Sequence, residues 1–437
     1  MTDNTGMIRG TTIFAVASGA GRAAITVLRI SGPGSAGILD GLCRRRPAPR
    51  VATVRTLRNG AGDVLDRALV LWFPAPGSYT GEDSAELHLH GGRAVLASVV
   101  EALLETGARP AEPGEFTRRA FLNGRLDLLQ AEAIADLVDA ETDAQRRQAL
   151  RQMEGALGAV YQDWTARLTR LLAAQEALID FPDEGLPTQA ETAMVADLMS
   201  LRGEIVIHLD DCRRGERLRE GLVFAITGPP NAGKSTLINA LARREVAIVA
   251  PSPGTTRDVL EVRLDIGGVP VTLLDTAGLR ETSDPVEAEG VRRARVRAAQ
   301  ADLVIELMDA TSPARTAAVG GGVLRIATKI DLAPMPPGVE IGVAAPCGTG
   351  LDGLRDRLAE AARRLTDRAG PPPLTRARHR AALIEAAERL AAAIDAPLPE
   401  LRGEDLRLAL RAIGRVTGQV GVEDILDSVF RQFCIGK

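Results

Sequence analysis

Eight consecutive residues, Gly228-Pro229-Pro230-Asn231-Ala232-Gly233-Lys234-Ser235, fit G-x-x-x-x-G-K-[ST] and constrain the fold more than any other stretch of the chain. The pattern carries meaning when it joins a strand to a helix. Here apolar Leu222–Thr227 precedes it and the helical pattern Thr236–Ala242 follows. Such a loop wraps phosphates with backbone N–H groups, while its lysine neutralises the β/γ oxygens, its serine hydroxyl holds Mg²⁺, and the helix N-terminus adds a positive dipole end. From Leu222 to about Ala361, short apolar strands alternate with helices, which predicts a parallel sheet covered on both faces.

Two further segments follow in the order and spacing of a GTPase switch. The run Val271–Leu274 ends in Asp275-Thr276-Ala277-Gly278, where Asp275 reaches Mg²⁺ through water and Gly278 offers an amide to the γ-phosphate. Before it stands Gly254-Thr255-Thr256-Arg257-Asp258, with Thr256 as second hydroxyl ligand of Mg²⁺ beside Ser235. After the strand Val323–Ala327, Thr328-Lys329-Ile330-Asp331 supplies a carboxylate that accepts from guanine N1 and N2 hydrogens, a pair of donors that adenine lacks. The commoner form of this motif begins with Asn, so Thr328 is expected to lose a bracing amide. Ala344-Ala345-Pro346 also lacks the serine often found there, so GTP is expected to bind more weakly than usual.

A length of 437 residues predicts two to four domains, and 45% hydrophobic with 25% charged residues is a globular composition. Apolar runs such as Ala68–Phe73 fall far short of a membrane span, and polar Met1-Thr2-Asp3-Asn4 opens no signal or transit pattern; the expectation is a cytoplasmic protein without membrane contact. Cys43, Cys212, Cys347 and Cys434 have no paired spacing, so reduced thiols are expected. The net charge of -4 gives nucleic acid no global attraction, and any RNA contact needs a local basic patch. Lysine occurs at Lys234, Lys329 and Lys437 alone, and two of these lie in the nucleotide motifs, where a compact ammonium is not replaceable by a guanidinium.

Up to about Gly124 the pattern is α+β: β-like runs at 11–17, 24–30, 68–73 and 85–90, then a helix from Arg93 to Thr106 closed by Gly107. Residues 126–216 read as long helices broken at Phe181–Gly185, and helix returns after the linker Pro371-Pro372-Pro373. The expected fold is therefore multidomain: an α+β domain (1–123), a helical domain in two parts (124–217 and 374–437), and an inserted Ras-like phosphate-loop GTPase domain (218–368).

With its flanks the chain resembles the MnmE (TrmE) family of tRNA-modifying GTPases over nearly its whole length. The resemblance rests on Val27–Gly32, Tyr79-Thr80-Gly81-Glu82-Asp83, His90-Gly91-Gly92, Pro113-Gly114-Glu115-Phe116, Ala120–Asn123, Leu126-Asp127, Gln130–Ala133, Asp180–Glu184, the GTPase motifs and Phe433-Cys434-Ile435-Gly436-Lys437. It implies a homodimer joined through N-terminal domains that bind a one-carbon tetrahydrofolate (5-formyl- or 5,10-methylene-) by Arg29, Glu86, Arg125 and Lys437. The family commonly has lysine where Arg125 stands. It also implies an FAD-containing MnmG-type partner in a heterotetramer and an aminomethyl-type group placed on C5 of the tRNA wobble uridine, with Cys434 as a catalytic thiol. The GTP site would include Asn231, Ala232, Gly233, Lys234, Ser235, Thr236, Ala250, Pro251, Ser252, Pro253, Gly254, Thr255, Thr256, Asp275, Thr276, Ala277, Gly278, Thr328, Lys329 and Asp331. Potassium would be held by Asn231, Thr255 and carbonyls at Ala250 and Ser252, replacing an arginine finger. Position 279 is Leu, and Glu287 matches the family's substitute acid.

Other features have plainer readings. His88 and His90 share a strand face without a third ligand nearby and are read as structural. The outline of a prenylation signal at Cys434–Lys437 has unsuitable last residues. Cys434 is either a packed small residue or a solvent-reachable thiol. Arg213, Arg214, Arg217 and Arg219 are read as a solvated helix face, with no RNA-contact residue assigned. An RNA- or ribosome-assembly GTPase switch without group transfer is the alternative function; it would need neither the N-terminal α+β domain nor a terminal thiol.

Overall fold

The computed structural model describes residues 10–19, 21–180, 188–244, 261–275, 299–312, 323–367, 371–420, 426, 429–430, 433–434 and 436. The chain divides into two compact units, Met1–Ala135 with Ile413–Lys437, and Asp136–Ala412.

The first unit is built on β1 (Ile13–Val16), β2 (Ile25–Ser31), β3 (Thr53–Arg58), β4 (Val64–Phe73), β5 (Ser84–His90) and β6 (Arg109–Pro110), in sheet order β3-β4-β5-β2-β1-β6. β1 and β6 pair parallel; the other neighbours are antiparallel. Alternation sends Leu28, Ile30, Leu87 and Leu89 to one face, where they share a core with Leu39 of α1 (Ser35–Cys43) and Val99 and Leu103 of α2 (Arg93–Glu105). The intervening positions include Arg29 and Glu86, set opposite each other by the β2/β5 register. α3 (Glu115–Leu122) places Phe116 in a second cluster with Ile13, Ala15 and Ala111. The helix and four strands expected from the apolar pattern are present. α1 and β3 were not anticipated, because α1 is short and β3 is an edge strand that buries Leu57 alone.

Glu115 is buried and accepts from Arg109 at 2.6 Å and from Arg119, itself 1% exposed, at 2.9 Å. Burial pushes its carboxyl pKa up, but the Arg109 hydrogen bonds, the Glu112 amide and Arg119 outweigh that and hold it below its ordinary value. A depressed folded-state pKa stabilises the fold above the unfolded value and ceases to do so as pH falls through the folded one. Glu115→Ala, which takes from the buried Arg119 one of its two carboxylates and leaves it Glu82 at 3.0 Å and the Thr11 carbonyl, should cost about 1–3 kcal/mol in urea unfolding at neutral pH. The gap to the parent should narrow as pH falls below the ordinary glutamate value of 4.5. An unchanged gap in acid would show that the loss is packing alone.

The C-terminal tail belongs to this unit. Leu426, Phe430 and Phe433 pack with Leu128, Ala131 and Ala135 of α4 (Leu128–Asp139). Gly436 (φ 101°) comes so close to β1 that a Cβ there would lie 2.2 Å from the Val16 carbonyl oxygen, so only glycine fits.

In the second unit α5 (Asp143–Met153), α6 (Ala156–Asp180), α7 (Thr188–Leu209) and α8 (Arg214–Glu220) precede a sheet, and α11 (Ala377–Asp395) and α12 (Pro399–Thr417) follow it. Between these lie α9 (Lys234–Arg244), α10 (Leu351–Thr366) and the sheet strands β7 (Leu222–Thr227), β8 (Glu261–Ile266), β9 (Val269–Asp275), β10 (Leu303–Asp309), β11 (Val323–Thr328) and β12 (Ile341–Val343). α11 packs along α7, and Arg407 of α12 pairs with Glu176 of α6 at 2.6 Å, so helices from both sides of the sheet form one scaffold. The inserted segment leaves and rejoins it side by side: a Cβ on Gly215 would lie 2.3 Å from the Leu374 carbonyl oxygen. The expected helical break at Phe181–Gly185 lies outside the described residues.

Sheet order is β12-β11-β10-β7-β9-β8, with β9 and β10 buried throughout. The expectation of a parallel sheet needs one correction. β8 runs antiparallel to β9 through Gly267-Gly268, whose φ values of 64° and 87° suit a primed hairpin turn.

The reading of the α8 arginines as a solvated face is also overturned. Arg214 is buried and donates to the Pro371 carbonyl, Arg217 pairs with Asp302 at 2.9 Å, and Arg219 pairs with Asp136 at 2.9 Å. Arg213 pairs with buried Glu216, which also binds Arg380 at 2.9 Å. α8 is a seam inside the unit: Arg214, Arg217 and Arg219 meet partners on other segments, whereas Arg213, at its N-terminus, stays exposed and pairs within the same helix.

Candidate functional site

β7 is the strand at which the sheet order reverses, with β9 on one side and β10 on the other, so the loop after it opens into a crevice at the strands' C-terminal ends. Gly228 turns there at φ 146°, and a Cβ would meet the Leu307 carbonyl oxygen at 2.8 Å. Asn231 takes φ 63°, a left-handed conformation that asparagine tolerates. Lys234, buried, arches back so that its Nζ donates to the Gly228 and Pro229 carbonyls, each at 2.8 Å. Burial lowers its pKa, opposed by Asp275. The Ser235 hydroxyl donates to Asp275 Oδ2 at 2.8 Å, bringing together the hydroxyl and the carboxylate expected around Mg²⁺. Ala232 is buried, Gly233 has φ 86°, and Thr236 lies exposed in the first turn of α9.

At the guanine end, Thr328 closes β11, Lys329 follows with φ 58°, and Asp331 is exposed. Lys329 Nζ reaches Asp309 Oδ2 at 2.5 Å, and this bond holds the Asp309 carboxyl below its ordinary pKa. The expectation that Thr328 leaves the loops unbraced is corrected: its buried hydroxyl donates to the Ala232 carbonyl at 2.7 Å, tying the base motif to the phosphate loop. Removing it without changing shape, Thr328→Val, should weaken GTP by roughly 0.5–1.5 kcal/mol, about two- to tenfold in Kd by calorimetry. Unchanged affinity would show that the bond does not preorganise the site.

The first unit carries a second constellation. Arg29 Nη2 donates to Glu86 Oε1 at 2.9 Å, and its guanidinium carbon lies 5.4 Å from the Tyr79 ring centre and 5.8 Å from that of Phe116. Arg29, Glu86 and Arg125 line one cavity of about 200 Å³ together with Tyr79. Tyr79 donates to or accepts from Thr117 at 2.8 Å, and burial raises its pKa. The two aromatic rings were not singled out from the sequence as site residues, although both stand in the segments that carry the family resemblance. Cys434 is exposed, and its carbonyl accepts from the Gly114 amide at 3.4 Å, at the start of the helix that supplies Phe116. Of its two readings, the structure therefore favours the solvent-reachable thiol.

His90 Nδ1 bonds Asp66 at 2.7 Å and His88 lies 3.6 Å from Glu86; among the described residues no cluster of three or more His, Cys, Asp or Glu is placed to hold a metal. Ala250, Pro251, Ser252, Pro253, Gly254, Thr255, Thr256, Thr276, Ala277, Gly278, Glu287 and Lys437 lie outside the described residues.

A strand-loop-helix phosphate cradle, a carboxylate on the adjacent strand and the exposed carboxylate of Asp331 beyond β11, inserted into a helical scaffold, define a phosphate-loop GTPase. Comparison with known proteins specifies the kind. The family model described as the MnmE helical domain matches residues 128–434, and that described as the GTP-binding protein TrmE N-terminus matches residues 12–125. The tRNA modification GTPase MnmE of Gluconacetobacter diazotrophicus is 61% identical over 97% of this chain and 98% of its own length. That of Granulibacter bethesdensis is 56% identical over 98% and 99%. Among solved structures, the FeoB G-domain from Methanococcus jannaschii covers 32% of this chain and 97% of its own at 21% identity, with a TM-score of 0.24. The chain belongs to the MnmE family of tRNA modification GTPases. No helix among the described residues is long and apolar enough to cross a membrane.

Proposed function

We propose that this protein is a potassium-activated GTPase that works with an FAD-containing MnmG-type subunit. Together they add an aminomethyl or carboxymethylaminomethyl group to C5 of the tRNA wobble uridine, in the cytoplasm and as a homodimer within a heterotetramer. The observation that supports this most is the N-terminal cavity, which a GTPase switch alone does not require. The donor set there suits a reduced folate: Glu86 would accept from the amino edge of a pterin, while Arg29 and Arg125 would answer its carbonyl and carboxylates, and Lys437, outside the described residues, is proposed to join them. When bound, that group supplies the one-carbon unit. Arg29 is held for the task between Glu86 and the rings of Tyr79 and Phe116. The proposed domains are 1–123, 124–217, 218–368 and 374–437, the last ending in a segment, 413–437, that groups with the first compact unit. Nucleoside analysis of tRNA from cells lacking the protein tests the reading; unchanged wobble uridines would refute it.

For hydrolysis, Lys234 would move from the loop carbonyls to the phosphate oxygens, Ser235 and Thr256 would hold Mg²⁺, which would neutralise phosphate charge, and Asp275 would orient a water beside it. Asn231 and Thr255, with the carbonyls of Ala250 and Ser252, would hold K⁺, which would supply positive charge to the transition state, and Glu287 would order the attacking water. Because such an ion acts on the transition state, replacing K⁺ by Na⁺ should slow turnover at least about tenfold and leave GTP affinity nearly intact. Equal turnover in the two salts at matched ionic strength would remove potassium from the mechanism.

A further inference from the structure

We propose that a cleft in the second unit holds the phosphodiester backbone of the tRNA; this rests on tRNA being the substrate. The cleft, of about 630 Å³, lies between α5, the start of α6, the β8–β9 turn and the end of α10. Its wall carries Arg147, Arg151, Arg214 and Arg363 against one carboxylate, Asp367, so four positive charges less one negative leave an excess of three. The arginines converge from separate elements. Arg147 and Arg151 stand one turn apart on α5, Arg214 comes from α8 and Arg363 from the last turn of α10. Arg214 and Arg147 already have protein partners, Pro371 and Asp143. Arg151 and Arg363 are exposed and form no ion pair among the described residues, so their forks remain available to an outside anion.

The ligand class follows from what the wall contains and lacks. A guanidinium fork matches phosphate oxygens in geometry and charge. With a net charge of -4 on the whole chain, a polyanion is held by such a local concentration or not at all. Among the described residues no aromatic side chain lines the cleft, so a nucleotide base finds no stacking platform there, and contact to an RNA backbone is favoured over capture of a free nucleotide.

The test measures binding of an unmodified tRNA transcript to the full-length chain across a salt series. Arg151→Ala/Arg363→Ala should weaken binding roughly ten- to hundredfold and lower the slope of log Kd against log salt by roughly 0.7–0.9 per lost contact. GTP turnover without tRNA and thermal unfolding should stay at parent values, and Arg151→Lys/Arg363→Lys should recover most of the affinity. Parent-like affinity and slope in the alanine variant would overturn the cleft while leaving tRNA as substrate. A parent chain that binds no tRNA would overturn both. Loss of inorganic tripolyphosphate binding with tRNA affinity unchanged would make the cleft a small-anion site and overturn the assignment.

Discussion

Cys434→Ser is expected to reduce tRNA modification by about a hundredfold or more and to leave GTP turnover at the parent rate. A thiolate is a far better nucleophile and leaving group near neutral pH than a serine hydroxyl, and this thiol is exposed where a reacting group can reach it. The change is nearly isosteric and leaves the packing of the tail to Phe430 and Phe433, so folding should not suffer. The residues assigned to GTP lie between Gly228 and Asp331, in the other compact unit. The measurement pairs modified-nucleoside yield with phosphate release on one preparation. Full modification by the serine variant would make Cys434 a bystander, and parallel loss of both activities would point to misfolding.

Asp331→Asn should cost at least about a hundredfold in GTP affinity, because a carboxylate that accepts two N–H groups becomes an amide that presents one of them with a donor. Xanthosine triphosphate should gain, since its 2-oxo group accepts from the new amide. The exposed position of Asp331 makes a folding defect an unsuitable explanation of the loss. Competition of the two nucleotides for the variant decides the matter: retained preference for GTP would mean that another group reads the base.

The phosphate loop was legible in the sequence because its chemistry is written in contiguous residues: glycines for the backbone, Lys234 for charge and Ser235 for a hydroxyl, framed by a strand and a helix of opposite periodicity. Asp275, which ends an apolar strand, and Asp331, three residues beyond one, were legible for the same reason. The insertion could be suspected from helical patterns on both sides of the α/β segment. Less local features were not legible. The edge strand β3 buries a single residue, and β8 owes its direction to a two-glycine turn, so neither has a strong periodic signal.

What the sequence by itself determined is the inventory: a GTPase motif set, a family, and candidate residues on separate segments. Tertiary structure decided how those residues meet. Register across β2 and β5 makes Arg29 and Glu86 a pair although 57 positions separate them. The close approach of β11 to the phosphate loop lets Thr328, which looked like a lost brace, serve as one. The packing of α8 within its unit turned an apparent solvated face into internal ion pairs. Each of these depends on distances between segments far apart in the chain, and local sequence encodes conformation far more directly than it encodes contact.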